Sequence, residues 1–218
     1  PTLQPEKVFN VEAMMLYKWL NVSVGYKYLK DVMEWTKYIY PGKEFAYNTS
    51  LNFDHKQLLY ASVHVSPKFG IFRPMWGFYY NQQFFDTRKY GASKALSKPL
   101  LSCSLNNSFA LSGTMNAAIS LNASTTHADG FLMMKSGYSV NLQFDKSFAN
   151  RTWIIYLSAN DIFKTAKERW TMYGLGAGTT KDCYNYTRNI SLQVTYNFNA
   201  KRSKYKGTGA GNEEKSRL

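Results

Sequence analysis

Three histidines, two cysteines and one aspartate are the residues here whose types and spacing come closest to supporting chemistry. His55, His64 and His127 share no spacing that would bring two imidazoles to one metal ion. Cys103 and Cys183 lie 80 residues apart and match neither C-x-x-C nor a zinc pattern, so whether they pair is left open. Asp161 is the carboxylate most easily taken for a general acid or base. It has no second acid or histidine near it in sequence, and it reads instead as a corner residue accepting backbone N–H bonds. Leu175-Gly176-Ala177-Gly178 has only a superficial likeness to a phosphate-cradling loop and fits a strand end near a loop. No G-x-S-x-G, H-E-x-x-H, Walker or dinucleotide-binding glycine pattern occurs. Asn122-Ala123-Ser124 has the form of a glycosylation acceptor, which Asn- and Ser-rich strands produce by chance. No catalytic, cofactor-binding or metal-ligating residue is assigned, no cofactor is expected, and the chain is not expected to be an enzyme.

The elements that would position any such residue are strands. In Val8–Trp19, Phe9, Val11, Ala13, Met15, Tyr17 and Trp19 fall on one face, and a second run from Leu20 to Tyr28 follows directly. Adjacent alternating runs meeting at a tight turn make a hairpin. Period-two alternation recurs at Tyr47–Phe53, Leu59–Val65, Trp76–Tyr80, Leu101–Leu105, Met115–Leu121, Tyr138–Phe144, Trp153–Ala159 and Ile190–Phe198, with a weaker, glycine-rich candidate at Glu168–Gly176. That is about eleven strands. Asp54–Gln57 reads as a polar turn, and Asp31–Tyr40 as a short turn of helix stopped by Pro41–Gly42.

The polar positions are Asn, Ser, Thr and Gln more than Lys and Glu, as a wet lumen or a packed plug requires. Rings such as Trp19, Tyr26, Tyr28, Trp76, Tyr80, Trp153, Tyr196 and Phe198 gather near strand ends, as in the two girdles of a membrane barrel. A soluble all-β sandwich would also alternate. No run approaches about 18 consecutive apolar residues, which excludes a helical span but not a membrane strand of about 9–11 residues. The formal charge of +13 raises nucleic acid as a partner. The basic residues are scattered over turns and strand ends without a recognition motif, so no nucleic-acid partner is assigned. An anionic membrane surface accounts for the charge equally well.

Three stretches give the chain a resemblance. Leu3-Gln4-Pro5-Glu6 before the first strand resembles a "P-x-L-x-P-E" entry, and Asp161-Ile162-Phe163-Lys164-Thr165 resembles a "D-I-F-N-T" corner with Lys164 in place of Asn. Arg188-Asn189-Ile190 through Tyr196-Asn197-Phe198 resembles a closing "R-x-I-x-L-x-x-x-Y-x-F" strand. In this order they resemble the C-terminal barrel region of TonB-dependent receptors, in the outer-membrane β-barrel family common in Bacteroidetes.

The resemblance implies an all-β fold: an antiparallel up-and-down transmembrane β-barrel portion, about eleven strands of a larger barrel, over residues 1–199. With almost no apolar content, residues 200–218 are expected to be a disordered polar tail, basic then acidic. It implies energised uptake of a scarce nutrient of unknown identity. Implied partners are outer-membrane lipid and lipopolysaccharide, the TonB complex through a missing N-terminal plug, and the barrel-assembly machinery through the last strand. Counting strands back from a periplasmic C-terminus places the Asp161–Lys167 corner in the periplasm and Ala177–Tyr186 outside the cell. A passive porin-like channel and a soluble all-β carbohydrate-binding domain remain alternatives.

Overall fold

A computed structural model describes residues 3–39, 42 and 44–198, and the expected tail at 200–218 lies outside the described residues. Among the described residues the chain forms thirteen strands. They are β1 (Lys7–Tyr17), β2 (Leu20–Ile39), β3 (Ala46–Val65), β4 (Phe72–Phe84), β5 (Leu100–Ser112), β6 (Met115–Ser124), β7 (His127–Asp129), β8 (Leu132–Met134), β9 (Gly137–Phe148), β10 (Trp153–Asn160), β11 (Lys167–Tyr173), β12 (Gly178–Tyr184) and β13 (Asn189–Tyr196). Among the described residues no helix is long and apolar enough to cross a membrane.

These strands do not make the single up-and-down transmembrane β-barrel portion of about eleven strands that the sequence implies. They form two separate antiparallel sheets, one nine-stranded in the order β1-β2-β3-β4-β5-β6-β9-β10-β13 and one four-stranded in the order β12-β11-β8-β7. The large sheet is open, with β1 and β13 as its edges. The reason lies in the pairing of β10. Asn160 pairs with Asn189, so β13 rather than the Glu168–Gly176 segment continues the large sheet. Everything from 161 to 188 is an excursion from one end, and β11 pairs with β8 and β12 instead. The Asp161–Lys167 corner and Ala177–Tyr186 therefore lie at the same end of the sheet, not on opposite sides as strand counting places them.

Two local readings also change. Asp31–Tyr40 is strand, not helix, through Ile39; Asp31 takes φ +55°, yet the register runs on from Lys30↔His55 to Val32↔Phe53. Asp54–Gln57 is no turn, because β3 is continuous across it.

Residues directly opposite in an antiparallel pair share a face, and here two unlike faces run across the whole sheet. One row reads Met15–Val22–Val63–Phe78–Cys103–Ala123–Tyr138, and the row beside it on the other face reads Asn21–His64–Gly77–Ser104–Asn122–Ser139. Further along, Ile119–Leu142–Ala159–Ile190 backs onto Ala118–Gln143–Ser158–Ser191. Hydroxyl pairs tie neighbouring strands on the polar face, Ser23 to Ser62 at 2.9 Å and Ser158 to Ser191 at 2.7 Å. The apolar face is uncovered: Met15, Leu101, Leu192 and Val194 are each more than half exposed. An apolar surface this continuous needs a partner other than water.

The two ends of the sheet differ. At one end the connections are the short links 18–19, 66–71, 113–114 and 149–152. Rings crowd there: Phe72 stacks on Phe109 at 5.1 Å, and Tyr196 lies 4.5 Å from both Trp153 and Phe198. At the other end, β2 and β3 run on past their neighbours as a two-stranded ribbon, residues 31–39 adding about 30 Å at roughly 3.3 Å per residue. Segments 85–99, 125–136 and 161–188 fold against that ribbon.

The core sits among these segments. Phe53 of the ribbon meets Phe131 and Tyr90 at 4.9 Å and Phe85 at 5.8 Å, joined by Val32, Ala92 and Leu175. Phe131, Leu96 and Met172 are fully buried, and each such side chain contributes about 1.5–3 kcal/mol.

Candidate functional site

The connections at the long-segment end build an ordered cap, and four side-chain arrangements hold it. Gln83, at the end of β4, is 3 % exposed, yet its amide is satisfied. Its Nε2 donates to the carbonyls of Leu96 (2.7 Å) and Gly130 (3.2 Å), and the Gly130 N–H donates to its Oε1 at 2.8 Å. One side chain thereby joins two excursions to the large sheet. Thr87 closes the first excursion on itself, donating to Lys94 O at 2.7 Å and accepting from Leu96 N–H at 3.2 Å.

The second arrangement is a buried ion pair. Lys56, 6 % exposed, reaches Glu34 Oε1 at 2.6 Å across the ribbon, with Asp129 at 3.8 Å. Burial pushes the Glu34 carboxyl above its ordinary value, against the opposing pull of the Lys56 charge and hydrogen bond. Gly130 faces this pair at φ +54°, where a Cβ would run into the Glu34 carboxylate.

Asp161 is the third. It is 2 % exposed and takes φ +45° where β10 leaves the large sheet. Its Oδ1 accepts the N–H groups of Thr165 (2.8 Å) and Ala166 (3.1 Å), and its Oδ2 accepts the Thr187 hydroxyl at 2.8 Å. Burial raises this carboxyl, but bonds from Thr187, Thr165, Ala166 and Tyr184 outweigh it and hold the pKa below the usual value. The reading of Asp161 as a corner residue accepting backbone N–H bonds fits this geometry. The link to Thr187, at the far end of the excursion, was not legible in the sequence.

Glu168 is the fourth, in β11. It accepts from Lys181 Nζ (2.7 Å), Trp170 Nε1 (2.9 Å) and Asn185 Nδ2 (3.0 Å). These three bonds, Lys181 first, take its pKa down to about 2. Sequence reasoning missed the cluster because Lys181 and Asn185 come from a strand and flank it did not assign; the β11–β12 register brings them beside Glu168.

Between this cluster and the polar face lies a cleft of about 530 Å³, lined by Tyr79, Ser102, Ser104, Asn122, Lys167, Glu168 and Asn185 among others. Hydroxyls and amides share this lining with Cys103, Ala123 and Tyr138, and the Glu168 oxygens are engaged by N–H donors. The arrangement offers hydrogen bonds to a polar solute.

The remaining sequence candidates are dispersed. His64 lies on the polar face, its ring 5.2 Å from Tyr79; His55 stacks on Tyr28 and bonds Asp54; His127 bonds the Thr125 carbonyl at 2.8 Å. Among the described residues no group of three His, Cys, Asp or Glu could hold a metal ion. Cys103 and Cys183 are both free thiols, the first on the apolar face of β5 and the second in β12. Leu175–Ala177 is the turn between β11 and β12, bonded to the ribbon through Leu175 N–H and Lys37 O at 2.7 Å. Asn122 lies on the polar face, accepting from the Ser104 hydroxyl at 2.8 Å.

Comparison with known proteins follows the same lines. No curated protein matches the chain. Among solved structures, OmpT (in-vitro folded), an outer membrane protein of Vibrio cholerae, is similar with a TM-score of 0.49 and 12% identity, over 88% of this chain and 55% of that one. The chain thus spans little more than half the length of that protein. A model of the outer membrane protein beta-barrel family matches residues 1–196, nearly the whole described chain. The chain belongs to that family and is a β-barrel protein of the bacterial outer membrane.

Proposed function

We propose that this outer-membrane protein works in a TonB-dependent receptor, which takes up a scarce nutrient with energy delivered from the inner membrane. The cap faces outward, and the short connections and the C-terminal tail face the periplasm. The observation that carries this reading is the cap itself: three excursions and a ribbon share one buried core beside a polar cleft. A receptor needs a preformed external platform for its ligand, whereas a passive channel needs only an open passage.

Two further observations support it. Leu3–Glu6, ahead of β1, reaches the ribbon, where Gln4 exchanges hydrogen bonds with Asn52 and Glu6 accepts from Met33 N–H. The short connections at one end and long excursions at the other suit an outer-membrane protein with short periplasmic turns and longer extracellular loops. In this reading the apolar face meets outer-membrane lipid and lipopolysaccharide. A plug outside this sequence contacts TonB, and β13 presents Ile190, Leu192 and Val194 to the barrel-assembly machinery. The chain binds and passes its polar ligand without catalysis.

The test uses the intact receptor purified in detergent. The periplasmic domain of TonB is expected to bind it, and planar bilayers carrying it are expected to show no steady conductance. Steady conductance with no TonB binding would replace this reading with the passive channel.

A further inference from the structure

A second cavity lies at the cap end, with its floor on the apolar face. It measures about 630 Å³, and its lining combines Leu121, Ala123 and Tyr138 from β6 and β9 with Lys164, Lys167 and Arg169 from the 161–188 excursion. Among the described residues no carboxylate lines it. Glu168, between two of these cations, lines the polar cleft instead and is engaged by Lys181, Trp170 and Asn185. Asp161 is buried and occupied by its own excursion. Asp182 faces Arg169 across the strand pair, but among the described residues no ion pair joins them.

The cations are held in place. Arg169 Nη2 donates to the Ser136 carbonyl at 2.6 Å, and its backbone carbonyl accepts from Lys135 N–H at 2.9 Å. Lys164 takes φ +58°, and its ammonium lies 5.3 Å from the Tyr184 ring centroid. The floor is continuous with the uncovered apolar face, since Tyr138 and Ala123 end the row that begins at Met15. Phe163, beside Lys164, is 62 % exposed. Rings at the upper edge of an apolar band, with cations just above them, are what the boundary between acyl chains and anionic headgroups selects.

We propose that this cavity binds the phosphorylated headgroup of a membrane lipid. Lys164, Lys167 and Arg169 would engage the phosphate, while the acyl chains lie over Leu121, Ala123 and Tyr138. A soluble anion would use the cations but gain nothing from the floor. A zwitterionic lipid would use the floor but gain little from three cations. The site adjoins the polar cleft, sharing Ala123, Tyr138 and Lys167 with it, and is set apart by Lys164 and Arg169, which do not line the cleft; it rests on the reading that the apolar face meets lipid.

The experiment measures binding of diphosphoryl lipid A, in dodecylmaltoside micelles, to the intact detergent-purified protein. The variants are Lys164→Gln/Lys167→Gln, whose side chains are exposed, and the control Lys18→Gln/Lys68→Gln at the short-connection end. At about 1 kcal/mol per cation near a headgroup layer, the first pair loses roughly 30-fold in affinity and the control pair loses none. Replacing both lysines by Arg restores binding. Inorganic phosphate at matched concentration does not compete, and phosphatidylcholine does not substitute. Equal losses in both pairs would overturn the site, as would full competition by phosphate or equal binding of phosphatidylcholine.

Discussion

The Asp161 carboxylate accepts the Thr187 hydroxyl at 2.8 Å, so one bond ties together the two ends of the excursion that leaves the large sheet after β10. Asp161 also accepts two backbone N–H groups next to it. Asp161→Ala strands these donors, and bonds to a charged group contribute about 1.5–3 kcal/mol each. The expected outcome is selective loosening: residues 161–188 become the first site of limited proteolysis, while β9 and β10 keep their protection. Cleavage unchanged from the parent would show that the latch does not hold the excursion.

The Glu34–Lys56 pair tests how the ribbon is fixed to the cap. Removing one partner of a buried pair leaves a stranded charge and costs about 3–5 kcal/mol. Lys56→Met therefore destabilises the cap strongly, because it strands the Glu34 carboxylate, whose charge burial already disfavours and which Asp129 does nothing to relieve. The double variant Glu34→Leu/Lys56→Met falls much closer to the parent. A thermal-unfolding double-mutant cycle checks both, and additive losses would remove the pair from the account.

Acid should act on the cap in two opposed ways. Glu168 has a folded pKa of about 2 against 4.5, and Asp161 is held below 3.8. Each depressed carboxylate contributes stability that is present above its unfolded value and is lost as pH falls through its folded value. The 161–188 excursion should therefore loosen between about pH 4.5 and about 2. Glu34 runs the other way: its folded value is raised, so its contribution is present below 4.5 and is lost as pH rises through that raised value. Amide exchange across the excursion, measured against pH, should show the acid loosening, and Glu168→Gln should flatten it.

The edge strand β1 depends on a glycine. Gly25 lies opposite both Glu12 and Tyr60, and the Tyr60 ring crosses the space a Cβ would fill to reach Asn10 at 2.9 Å. Gly25→Val displaces that ring at a cost of about 1–3 kcal/mol. Faster amide exchange confined to β1 is expected; exchange spreading through β4 and β5 would point to a different role.

Much of this fold was legible in the residues, and what was not has physical causes. Alternation located β1, β6, β9 and β13 because each has one apolar and one polar face, the pattern of a half-solvated strand. It failed where the cap covers a strand on its second face. Lys56 makes Asp54–Gln57 look like a turn, yet it is buried against Glu34. Val32 and Thr36 fall at helical spacing, yet they lie opposite Phe53 and Thr49 in a ribbon. Strands β7 and β8, three residues each, are too short for any periodicity to register. The Glu168–Gly176 strand was legible but its sheet was not, since only the Asn160↔Asn189 pair reveals that β11 leaves the wall. At the site, Asp161 announced its corner through its isolation from other acids. Glu168 and Lys181 meet only through a register that sequence does not display.

The most direct test of the account is which end of the sheet faces outward. In a background of Cys103→Ala and Cys183→Ser, single cysteines go in at Tyr186, 87 % exposed in the cap, and at Arg151, in the short β9–β10 connection. Intact cells are then treated with a membrane-impermeant maleimide. The account predicts labelling at position 186 on intact cells, and at position 151 only after the outer membrane is permeabilised. Labelling of 151 but not 186 on intact cells would contradict it, and so would recovery of the protein in the soluble fraction.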